Sequence, residues 1–136
     1  MTQSQRTPVE VLIVAVPETA GSALYGMLDV LSAAGNVWQT LARSGMEQQL
    51  FDVRIIAPAA GTFRCGNGIP VAPDCSVDED PGADIVIMPE LWLGPDDDLG
   101  GRYPALLEWI RERHHAGATL YSACSGSVML AATGLL

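Results

Sequence analysis

The residues with the most chemical promise stand near the end of the chain, in Ser122-Ala123-Cys124-Ser125-Gly126. An apolar run, "ATLYSA", leads into them, and "SGSVMLAATGLL" continues with helical character. This frame is close to the nucleophile elbow, usually G-x-S-x-G, in which a strand turns sharply into a helix and exposes one side chain above the sheet. A thiol on such a turn lies at a helix N-terminus, where the dipole and unsatisfied N–H groups favour thiolate. The backbone N–H of Ser125 follows the nucleophile and is the natural donor to an oxyanion. The chemistry would be attack by sulfur on a small electrophile. The first small residue is Ser rather than Gly, and a buried cysteine in a tight strand–helix turn would read the same way. Local sequence leaves both readings open.

Other residues with reactive side chains point to bland roles. Cys65, Cys75 and Cys124 are an odd set with no CxxC spacing, which argues against a disulfide framework and against zinc. Cys65 and Cys75 are expected as a reduced pair. His114 and His115 fall at the end of an expected helix, where they complement its dipole. Asp96, Asp97 and Asp98 lack the alternating ligand spacing of a calcium loop and read as a solvated segment. No metal and no cofactor is expected.

Composition bounds the class. The chain has 136 residues, 49% hydrophobic and 17% charged, which is one globular domain with a real core. Net charge is −9, and every basic residue is Arg, so the surface repels phosphate backbones. No apolar run approaches the ~18 residues of a membrane span. The start, "MTQSQRTPVEVLIVAV", lacks the features of a secretory signal, so the expected location is cytoplasmic.

The elements that must position Cys124 follow from periodicity. "VEVLIVAV" (9–16) is apolar without alternation, as a strand buried on both faces is; "LFDVRIIAPA" (50–59) is a second strand, "ADIVIMPE" a third, buried one, and "ATLYSA" a fourth. "ETAGSALYGMLDVLSAAG" and "PALLEWIRERHHAG" carry apolar residues at helical spacing, closed by Gly35 and Gly117. "NVWQTLARSGMEQQ" is partly helical, and Gly66-Asn67-Gly68 marks a small hairpin excursion. Alternating strands and helices predict an α/β, flavodoxin-like, doubly wound parallel sheet in one domain, 1–136. Sites in such sheets lie at the carboxyl ends of strands. Three turns end there: after Val16, at "MPELW", and at Cys124.

The segment "YSACSGSVMLAATGLL" resembles the nucleophile turn of the ThiJ/PfpI proteins, within the class I glutamine amidotransferase-like superfamily. "SALYGMLDVLSAAG" together with "CSGSVMLAATGLL" resembles the N-terminal domain of AraC-type transcriptional regulators. The resemblance runs from about Val9 to Leu136 and puts the family nucleophile at Cys124. The family's acidic partner falls at about Ala23, which has no carboxylate; Ser22 has none either. Glu18 and Asp29 flank that position at a distance. The usual Pro-Gly-Gly turn, which helps form an oxyanion pocket, here reads Pro89-Glu90-Leu91. Glu90 is a speculative replacement acid, or a side chain that fills the pocket. Glu18, Tyr25, Leu91 and Trp92 are candidate pocket residues.

The family continues beyond this point with more core structure and a His-bearing segment, and its regulators add a helix-turn-helix module. The resemblance therefore implies a domain whose C-terminal part is missing, with DNA bound only through a module absent from this chain. It also implies a small-molecule ligand and a homodimer. Three functions compete. One is a sensory, dimerising domain without turnover. Another is a cysteine-dependent hydrolase, hydratase or glyoxalase. The third is an oxidation-prone thiol with no partner chemistry.

Overall fold

The structure, a computed structural model, describes residues 6–136. Five parallel strands form one sheet in the order β5-β2-β1-β6-β7. They are β1 (Val9–Val14), β2 (Phe51–Ala57), β5 (Cys75–Ser76), β6 (Ile85–Met88) and β7 (Thr119–Ser122). A separate antiparallel hairpin pairs β3 (Phe63–Arg64) with β4 (Pro70–Val71). The helices are α1 (Gly21–Ala33), α2 (Val37–Ala42), α3 (Leu99–Arg102), α4 (Pro104–His115) and α5 (Gly126–Ala132). The expected doubly wound α/β sheet is what the chain forms.

The central strands lack alternation because both faces are covered. Leu12, Val14, Ile56, Val86 and Met88 meet Leu106, Leu107, Trp109 and Ile110 of α4 and Met129 of α5. Their neighbours Val11, Ile13 and Ile55 point the other way, toward Leu24 of α1 and toward Cys65 and Val71 of the hairpin. Cys65 and Cys75 therefore belong to different clusters. All three cysteines are free. Gly35 and Gly117 have φ of 85° and 104°, the left-handed stops that end the helices before them.

Sheet order places the switch point between β1 and β6, since β2 lies on one side of β1 and β6 and β7 on the other. The crevice above those strand ends is where the three turns named above converge. One short piece escaped the sequence pattern. β5 has only two residues, and it joins the main sheet beside β2 through Ile56 and Ala57. Among the described residues no helix is long and apolar enough to cross a membrane.

Candidate functional site

The first wall of the site is the turn after β1. Val16 N–H donates to Thr19 Oγ1 and Thr19 N–H to the Val16 carbonyl, both at 2.9 Å, with Pro17 supplying the fixed φ such a turn favours. Thr19 is wholly buried. Residues 18–20 then pair antiparallel with 90–92. Trp92 N–H donates to the Glu18 carbonyl at 2.7 Å, Ala20 N–H to the Glu90 carbonyl at 2.9 Å, and Thr19 bridges Leu91.

The second wall is the elbow. Cys124 is exposed and has φ 51°, the left-handed region that a β-carbon makes costly. Such strain persists only where the surroundings dictate it. Gly126 is the reason the turn can be so tight. A β-carbon there would lie 2.5 Å from the Pro89 carbonyl oxygen, 2.9 Å from the Met88 carbonyl carbon, and closer still to the Met88 oxygen. Helix α5 thus starts against the end of β6. Ala123 N–H donates to Met88 O at 3.0 Å. Among the described residues no acceptor takes the Ser125 N–H, which leaves it free beside the thiol.

The structure sends the candidate acids elsewhere. Glu18 accepts from the Arg102 guanidinium through one oxygen and from the Tyr103 hydroxyl at 2.7 Å through the other. Arg102 also reaches Asp97 at 2.8 Å. Burial first, and then the hydrogen bond to Glu18, push the Tyr103 phenol well above its ordinary value. The bond from Arg102 holds Asp97 below the usual carboxylate range. Glu90 is half-buried, and among the described residues its carboxylate forms no hydrogen bond, to Cys124 or to any other group. Ala23 stands on α1 where the resemblance expected an acid.

The other candidates separate as well. Tyr25 donates its hydroxyl to the Pro70 carbonyl at 2.8 Å, which commits the ring to the hairpin. Leu91 is 3% exposed and packs in the α4–α5 core. Trp92 is 48% exposed, and its ring lies over Gly66, where a β-carbon would approach it to 2.9 Å. Beside the elbow an apolar groove of about 500 Å³ runs between α1 and β7, lined by Met27, Val30, Leu31, Ile87, Tyr121 and Ala123 among others. Among the described residues no three His, Cys, Asp or Glu side chains gather to hold a metal ion.

Two features had no sequence signal. The Glu18–Arg102 pair joins residues 84 apart, and the Ser125 hydroxyl bonds Leu91, 34 residues away.

A strained cysteine at a strand–helix turn, beside the switch point between β1 and β6 of a parallel sheet, is the arrangement to compare with solved structures. The chain has the DJ-1/ThiJ/PfpI fold. A proposed transcriptional regulator from Vibrio parahaemolyticus superimposes with TM-score 0.73 at 24% identity, over 96% of this chain and 63% of that one. A DJ-1 superfamily protein from Salmonella typhimurium gives 0.67 at 22%, over 94% and 62%. An AraC family transcriptional regulator from Pseudomonas putida gives 0.66 at 18%, over 95% and 63%. This chain thus spans less than two thirds of each of them. No family model and no curated protein matches the sequence.

Proposed function

We propose that this chain is a ligand-sensing, non-catalytic domain of a transcriptional regulator, with Cys124 marking its site. The observation that carries the reading is that, among the described residues, no carboxylate bonds the Cys124 thiol. Glu18 is held by Arg102 and Tyr103, Glu90 does not bond it, and Ala23 stands at the expected acid position. Attack by sulfur needs a partner that moves a proton, and none of these groups is placed to do so. The ligand is a small, largely apolar molecule in the groove beside the elbow, whose volume is within the range of small-molecule sites. DNA contact belongs to a different module, in keeping with the acidic surface here. The domain works as a homodimer, a reading supported by Trp38, Leu41 and Met46, each more than two thirds exposed.

The enzyme reading keeps one observation in its favour, an exposed, strained cysteine with a free N–H beside it. Turnover decides between them. Purified protein and its Cys124→Ser variant are given a 2-oxoaldehyde and an activated ester. Equal, background rates are expected. Turnover that disappears with Cys124 would replace the sensory reading by a hydrolase or glyoxalase.

A further inference from the structure

The Ser125 hydroxyl makes an unusual pair of bonds. It accepts from Leu91 N–H at 2.9 Å and donates to the Leu91 carbonyl at 2.6 Å. Ser125 is also the N-cap of α5, where a serine hydroxyl ordinarily accepts from the first turn of its own helix. No such cap bond is made here. The hydroxyl is spent across the crevice on the end of β6 instead.

Three tethers around Cys124 lead to the end of β6 and the segment that follows it. Before it, Ala123 N–H is bonded to Met88 O. After it, Ser125 clamps Leu91, and Gly126 rests on the carbonyls of Met88 and Pro89. The Cys124 carbonyl is fixed in turn by Ser127, through its N–H at 3.2 Å and its hydroxyl at 2.9 Å. A left-handed non-glycine residue bracketed in this way is held by its tethers, and Ser125 supplies the side-chain tether to the neighbouring loop.

We propose that the Ser125 hydroxyl is the positioning group of the elbow: by binding both polar groups of Leu91 it holds Cys124 in its left-handed conformation. Among the described residues the Ser125 N–H has no acceptor and stays available at the turn. This role concerns the geometry of the turn and stands whether the site senses its ligand or transforms it.

The test uses the full chain with Ser125→Ala and Ser125→Thr. Amide exchange at Leu91 is followed by NMR, and alkylation of Cys124 by iodoacetamide is followed by mass spectrometry across pH. With Ala, the Leu91 amide exchanges about tenfold faster or more than in the wild type, and the alkylation rate of Cys124 departs from the wild-type rate by about threefold or more as the turn loses its tether. Thr keeps a hydroxyl and restores both readouts to within about twofold of wild type. A Ser125→Ala variant that folds and matches wild type in both overturns the proposal. Should that variant not fold, the wild-type chain decides. Slow exchange at Leu91 supports the clamp, and exchange at the rate of a free loop amide overturns it.

Discussion

Gly126→Ala is the sharpest perturbation of the elbow, because the obstacle is backbone on both sides. The added carbon would meet the Pro89 oxygen at 2.5 Å and the Met88 carbonyl carbon at 2.9 Å, with the Met88 oxygen nearer. Ordinary contacts of this kind begin near ~3.4 Å, so the start of α5 and the end of β6 must separate by roughly 1 Å. Overpacking of this kind costs about 1–3 kcal/mol. The separation also stretches Ala123 N–H to Met88 O and the two Ser125–Leu91 bonds, each worth roughly 1 kcal/mol. Alanine's higher helix propensity returns about 1 kcal/mol. The expected loss is about 3–5 kcal/mol, a large part of the ~5–15 kcal/mol that holds a domain together, and Tm should fall by ~10 °C or more. Gly26→Ala is the control. Gly26 lies within α1, nothing is within 4 Å of its added carbon, and its φ is ordinary. That change should stabilise the fold by about 0.5–1 kcal/mol. Urea unfolding followed by circular dichroism measures both. If the two variants shift stability in the same direction, or Gly126→Ala costs less than about 1 kcal/mol, the close approach of α5 to β6 is not what the structure describes.

Three further outcomes follow from the same geometry. Cys124→Gly should be more stable than Cys124→Ala by about 1 kcal/mol, because only glycine adopts φ 51° without penalty; equal stability in thermal melts would mean the turn is not strained. In the folded protein a disulfide reagent should label Cys124 quickly and leave Cys65 and Cys75 untouched until denaturant is added, since both are buried and burial raises their thiol pKa; three fast thiols by mass spectrometry would refute it. The Tyr103 phenol has a raised folded pKa, so above its unfolded value near ~10 the native state binds more protons than the unfolded chain, and stability falls as pH rises. Tyr103→Phe should flatten that alkaline decline in urea-unfolding curves recorded across pH, and an unchanged slope would show that Glu18 and burial do not act on this phenol.

Much of this protein was legible before any coordinates. A strand buried on both faces must be apolar without alternation, so "VEVLIVAV" and "ADIVIMPE" declared a covered parallel sheet by themselves. Helical spacing in "PALLEWIRERHHAG" implied one apolar face, and Leu106, Leu107 and Ile110 on it are buried. The small residues around Cys124 marked a sharp turn, because only small groups let a helix start against a strand end. That the turn lies at the carboxyl end of its strand followed from the parallel sheet. What periodicity could not carry was contact between distant segments. Residues 75 and 76 are too few to show a period, yet they extend the sheet. Glu18 read as a free acid near a nucleophile until tertiary folding brought Arg102 and Tyr103 onto it. Ser125 read as a backbone donor, and only the approach of β6 revealed that its hydroxyl is tied to Leu91. Local sequence determines which elements form and which faces they bury, since both depend on neighbours three or four residues apart. Which polar group meets which depends on how those elements are stacked, and that was decided in three dimensions alone.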